Sequence, residues 1–222
     1  PAPRHAALDN AVTYPQKPSF NEEDLSDKPQ LIQSLANSGD EFDENDANIF
    51  FNALINSLRA VDELVEDLIQ TLEATRQLEN TYIFFMSDNG FHLGEHSLPS
   101  GKGTPYEEDI RVPIMVRGPG ISPGTVVNQM SANIDLAPTI AEIAGVDAPD
   151  FVDGRSFLPC LTGKEVPWRD GLLIEFGYID EEAVTEALAD PETDNLLVDV
   201  AGGAFRAIRG PDYIYVEYVN GE

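Results

Sequence analysis

The chain has very little cysteine. Its one cysteine, Cys160, sits in Leu158-Pro159-Cys160-Leu161-Thr162, so no disulfide can form within these 222 residues and redox logic leaves the compartment open. Its neighbours are apolar and no histidine is near in sequence, so a buried, inert thiol is expected rather than a nucleophile. Basic residues are scarce as well, 13 against 40 acids, for a net charge of -27. Such a surface repels nucleic acid and anionic lipid. An anionic substrate would need a local cation, and few are available. Acid excess of this kind reads as a solubility feature. No apolar run reaches the ~18 residues that cross a bilayer, so no membrane span is expected. The first residue is Pro1 rather than Met, which places the native start upstream in expectation.

Hydrophobic residues make up 42%, enough for a folded core. Residues 1–26 are rich in Pro, Asn, Asp and Ser and read as an extended surface segment. His5 there reads as a surface or packing residue. Residues 36–46 read as an acidic loop leading into a helix. From 47 to 74, Phe50, Leu54, Leu58, Val61, Val65, Leu68 and Leu72 recur every three or four positions, which predicts one amphipathic helix packing its stripe into a core. Asn80 to Met86 is an apolar run without alternation, the mark of a strand buried on both faces and typical of a parallel sheet. A second strand is expected over 112–117, closed by Gly118-Pro119-Gly120. A helix is expected over 134–144, stopped by Gly145, and a strand over 172–176. An acidic helical patch is expected from 180 to 189. Two strands around Gly210-Pro211-Asp212 predict an antiparallel hairpin.

Ligands in open α/β sheets bind beyond the carboxyl ends of strands. There the sequence reads Ser87-Asp88-Asn89-Gly90-Phe91-His92-Leu93-Gly94-Glu95-His96. Asp88 offers a carboxylate and Asn89 an amide oxygen, both hard donors suited to Ca²⁺ or Mg²⁺. An Asp-Asn-Gly triplet is otherwise an ordinary turn; its place after a buried strand is what singles it out. His92 and His96 stand four apart, but the surrounding Gly and Pro residues argue for a loop and no third soft ligand is apparent, so zinc is not expected. Lys102 lies between glycines in Gly101-Lys102-Gly103-Thr104-Pro105-Tyr106-Glu107-Glu108-Asp109, a setting suited to holding a tetrahedral oxyanion.

These blocks, followed by Ile110-Arg111-Val112-Pro113-Ile114, Val116-Arg117-Gly118-Pro119-Gly120-Ile121, Ile134 to Thr139 and Asp153 to Pro159, together resemble the sulfatase family, of the N-acetylglucosamine-6-sulfatase and arylsulfatase type. The similarity runs over roughly residues 45 to 220. It implies an alkaline-phosphatase-like α/β sandwich with a mixed, largely parallel sheet over residues 1–160, and a small, incomplete C-terminal antiparallel sheet over 161–222, four-stranded in the family. It implies a divalent cation, usually calcium, on Asp88 and Asn89, sulfate held by Lys102, and a pocket-lining part for His92. It also implies a formylglycine nucleophile made from cysteine in a Cys-x-Pro/Ala-x-Arg motif. Cys160 is followed by Leu161-Thr162-Gly163-Lys164 and does not fit that motif. The nucleophile and the early aspartates are therefore expected in a missing N-terminal half, making the chain a fragment truncated at both ends. The function implied for the intact protein is hydrolysis of a sulfate ester on a small molecule or glycan, in a secreted, periplasmic or lysosomal setting, with this chain inactive alone. The alternatives are a phosphodiesterase or phosphonate hydrolase of the same superfamily, or an inactive binding fragment.

Overall fold

Asp43 starts the longest element. Its carboxylate accepts from Asp46 N at 2.9 Å while the Asp46 side chain accepts from Asp43 N at 3.3 Å, a reciprocal cap that satisfies two otherwise orphaned donors. Glu44 and Asp46 in the first turn also suit the positive end of the helix dipole. In the computed structural model, residues 1–6, 12–37, 42–177 and 204–218 are described. The helices are α1 (Gln30–Ala36), α2 (Glu44–Ala74), α3 (Glu107–Ile110), α4 (Leu136–Ala144) and α5 (Leu158–Leu161), and the strands are β1 (Ile83–Met86), β2 (Ile114–Arg117), β3 (Leu172–Phe176), β4 (Phe205–Arg209) and β5 (Ile214–Tyr218). The chain divides into two units, Pro1–Thr81 with Asn89–Arg111, and Tyr82–Asp88 with Val112–Glu222. The boundary expected between 160 and 161 lies inside the second unit.

In the first unit the core is built from Tyr14, Ala47 and Leu93, with Phe20, Phe42 and Phe51 packed against it. Tyr14 meets Phe51 edge-on at 5.3 Å between ring centroids. Its backbone N donates to Asn48 Oδ1 at 2.6 Å, and Asn52 Nδ2 donates to Val12 O at 2.8 Å. The segment around Tyr14 is thus irregular, as its composition predicts, but it is a covering layer and not only surface. This displaces the core from where periodicity put it. The predicted stripe on α2 is helical, yet Leu54, Leu58 and Leu68 are 41%, 54% and 44% exposed. Residues 12–14 lie along the neighbouring row, Asn48 and Asn52, and of the stripe only Val65 and Leu72 are half-buried, while Phe50 stacks on Phe91 at 5.3 Å. His5 is buried, with Nε2 2.9 Å from Glu63 Oε1.

In the second unit β1 and β2 pair antiparallel, Ile83 opposite Arg117 and Met86 opposite Ile114. The expected largely parallel sheet is therefore not what the described strands form: every pairing among them is antiparallel. The cue used, a continuous apolar run, reports burial and not strand direction. Here even the burial is partial, since all four β1 residues are half-covered. The other sheet has the order β3-β4-β5, three described strands where the resemblance implies four. Its alternation is clean: Phe205, Ala207 and Tyr218 are buried while Arg206 and Ile208 face out, as a sheet covered on one face requires. The Gly210-Pro211-Asp212 hairpin closes as predicted, with Gly210 N donating to Tyr213 O at 2.8 Å. The acidic patch expected over 180–189 lies outside the described residues.

Two separated motifs of this unit prove to be one buckle. Asp135, fully buried, accepts from Ala132 N at 2.9 Å, from Arg155 N at 2.7 Å, and from Arg169 Nη1 and Nη2 at 2.7 and 2.6 Å. Thr139 Oγ1 donates to Asp135 O at 2.6 Å and accepts from Phe157 N at 3.1 Å. Gly154 is required here, because a Cβ would stand 2.0 Å from Ile134 O.

Candidate active site

The residues singled out above lie at the end of β1 and on the loop that follows. In the second unit, Asn133 Nδ2 donates to Asp88 O at 2.8 Å and to Ser87 O at 3.3 Å, so the strand's end is tied by its backbone, leaving the Asp88 side chain exposed. In the first unit, the loop from Asn89 folds back on α3. Gly90 N donates to Asp109 O and Phe91 N to Glu108 O, each at 2.8 Å. The approach is so close that a Cβ on residue 90 would lie 1.9 Å from Glu108 O, which explains glycine after the Asp-Asn pair.

Lys102 and Asn89 are brought together. Lys102 Nζ donates to Asn89 Oδ1 at 3.1 Å, while Asn89 Nδ2 donates to Gly90 O at 2.9 Å. The Asn89 amide oxygen thus faces the exposed ammonium. His92 is placed differently. It is 5% exposed, its backbone exchanges hydrogen bonds with Gly101 at 2.9 and 3.1 Å, and its Nδ1 lies 2.9 and 3.0 Å from the two oxygens of Asp109. Asp109 is itself buried and also accepts from Thr104 N at 2.8 Å and Thr104 Oγ1 at 2.7 Å.

His96 diverges from His92. Its Nδ1 is 3.2 Å from Glu22 Oε1, its Nε2 is 3.7 Å from Glu108 Oε2, and its ring stacks on Tyr106 at 3.7 Å. Glu95, 1% exposed, accepts from Leu93 N at 2.7 Å and from the Tyr14 hydroxyl. Burial, followed by Glu95, pushes the Tyr14 hydroxyl well above the usual phenol range. Burial pulls Glu108 upward, but the Lys17 ammonium at 2.6 Å, a backbone hydrogen bond and His96 together hold the carboxyl below its ordinary value. Sequence reasoning passed over Asp109, Glu95 and Glu108 because acids are so common here that one more carries no local signal. Buried acids become visible only through their donors.

Asp88 and Asn89 are chemically right for a hard divalent ion but supply only part of a shell that takes six to eight oxygens. Among the described residues no three His, Cys, Asp or Glu side chains cluster around a common point. Cys160 is 5% exposed, and burial pushes its thiol up.

The sulfatase family model matches residues 5–146; the chain belongs to the sulfatase family. Over 181 residues it is 42% identical to N-acetylglucosamine-6-sulfatase of Homo sapiens, covering 79% of this chain and 32% of that protein. Over 178 residues it is 38% identical to an extracellular sulfatase homologue of Drosophila melanogaster, covering 78% and 16%. The chain thus spans a third or less of these relatives. Among solved structures it is similar, at 28% identity and a TM-score of 0.65, to a protein in complex with its substrate D-glucosamine-2-N,6-O-disulfate, covering 81% of this chain and 34% of that one. It is also similar, at 25% identity and a TM-score of 0.73, to a phosphonate monoester hydrolase from Silicibacter pomeroyi, covering 98% and 44%.

Proposed function

We propose that these residues form part of a sulfatase that hydrolyses a sulfate ester on an aminosugar or sulfated glycan, with Lys102 as the cation that meets the sulfate. Lys102 Nζ standing 3.1 Å from Asn89 Oδ1 carries this proposal. It sets a mobile, strongly hydrated charge beside a hard oxygen donor in a chain with few cations. Asp88 and Asn89 would hold Ca²⁺ or Mg²⁺, which when bound supplies positive charge against the sulfate oxygens. Lys102 would donate to the non-bridging or leaving oxygen, where negative charge grows as the ester bond breaks. His92, buried against Asp109, would shape the loop rather than touch the substrate. The nucleophile, a formylglycine, would come from sequence outside these 222 residues, since Cys160 lacks the motif and lies buried. Export to a secreted, periplasmic or lysosomal compartment accompanies this proposal, in keeping with the extracellular relative. A substrate carrying a 6-O-sulfated glucosamine is favoured by the similarity to the disulfate-bound protein.

The test uses the full-length protein with an aryl sulfate, a glucosamine 6-sulfate and an aryl phosphonate monoester. The expected result is turnover of the sulfates, lowered about a hundredfold in kcat/KM by Lys102→Ala and restored in part by higher calcium in Asp88→Ala. Turnover of the phosphonate alone, or a Lys102→Ala protein as active as the wild type, would overturn it.

A further inference from the structure

We infer that Asp109 is a positioning residue for Lys102: a buried carboxylate that sets where the sulfate-facing ammonium stands without touching the substrate. This rests on the assignment of Lys102 just made. Two anchors bracket the lysine. On one side, Gly101 is paired through both backbone groups to His92, and the His92 ring is held by Asp109 at 2.9 and 3.0 Å. On the other side, Thr104 is held by the same carboxylate through its N–H at 2.8 Å and its hydroxyl at 2.7 Å. Only Lys102 and Gly103 lie between the anchors, and the three steps from Gly101 to Thr104 span at most roughly 11 Å. The lysine backbone therefore has little room to wander, and both ends of its arc report to one side chain.

The burial figures support a built device rather than a chance contact. The side chains of His92 and Asp109 are 7% and 3% exposed, while Lys102 at the tip is exposed. A buried carboxylate persists only if its lone pairs are used, and Asp109 uses them on three donors from the two sides of the lysine. Asp109 is tied to the scaffold as well: its N–H donates to Tyr106 O at 3.0 Å and its carbonyl accepts from Gly90 N at 2.8 Å. Gly90 directly follows Asn89, so one residue links the amide-bearing turn to the lysine-bearing turn. The 3.1 Å spacing of Lys102 Nζ and Asn89 Oδ1 is the product of that link. Groups that orient a site's ligands from behind are worth 10–100-fold when removed.

The experiment is a double-mutant cycle in the full-length enzyme, read by inhibition with inorganic sulfate and by steady-state kinetics on an aryl sulfate. Asp109→Asn and, more mildly, Thr104→Val are each combined with Lys102→Ala. In the wild-type background both are expected to raise the sulfate inhibition constant and KM together, Asp109→Asn by about tenfold, with a smaller change in kcat. In the Lys102→Ala background they are expected to change either constant by less than about twofold, because the group they position is gone. Effects of equal size in both backgrounds would assign Asp109 a general structural role and overturn the inference. If Asp109→Asn fails to fold, Thr104→Val, which removes one hydroxyl from the carboxylate, decides in the same way. If Lys102→Ala alone leaves sulfate inhibition unchanged, the assignment of Lys102 fails; if it weakens inhibition while both companions do nothing, only Asp109 fails.

Discussion

Asp135 offers the sharpest stability test, because one fully buried carboxylate joins three stretches of chain. Asp135→Ala would remove both bonds from Arg169 and the acceptors for Ala132 N and Arg155 N. The Arg169 side chain is only 10% exposed, so its charge would be left largely buried. Removing one partner of a buried ion pair costs about 3–5 kcal/mol. The two backbone donors are half-buried and can take up water, so they add little beyond that range. A loss of about 3 kcal/mol corresponds to roughly 6–12 °C in Tm for a domain of 150–250 residues, and it is a large share of a typical total stability of about 5–15 kcal/mol. Urea unfolding of the full-length protein, followed by fluorescence, measures it directly. Arg169→Met should cost a similar amount, since it strands the carboxylate. The double variant should cost clearly less than the sum, because neither charge remains uncompensated. A cost below about 1 kcal/mol for Asp135→Ala, or strict additivity with Arg169→Met, would refute the buckle as a source of stability.

Two further outcomes are expected. Despite burial, Glu108 is held below its ordinary value by Lys17 together with a backbone hydrogen bond and His96. Its contribution is therefore present above the unfolded carboxyl value of about 4.3 and is lost as pH falls through the lower folded value; urea midpoints measured down through acid pH should fall more steeply for wild type than for Glu108→Gln, and equal slopes would remove Glu108 from the account. Cys160 is buried with its thiol pushed up, so the number of thiols that react with an aromatic disulfide at pH 8 in the native protein should be the same in wild type and Cys160→Ser, a difference appearing only on unfolding.

Turn and period signals carried much of the local structure. The hairpin about Gly210-Pro211-Asp212, the strand at 172–176 and the long helix are all short-range consequences of backbone preference and spacing, although the helix, expected from 47, starts at Glu44 inside the stretch read as a loop. The candidate donors Asp88, Asn89 and Lys102 were legible by type and by their place after a strand. The direction of strand pairing was not, because an apolar run is compatible with either direction. Nor was the covered face of α2: the row under Tyr14 is chosen by a segment more than thirty residues away, not by the helix's own pattern.

By itself, then, the order of residues determined family membership, most element positions and the chemistry on offer at the loop after β1, since these depend on identity and neighbours within a few positions. Only the tertiary structure decided which acids matter. Asp109 and Asp135 look like any of 40 acids in a chain of charge -27. They are distinguished by being buried with every oxygen engaged, and a desolvated carboxylate is tolerated only where distant parts of the chain converge to bring it donors.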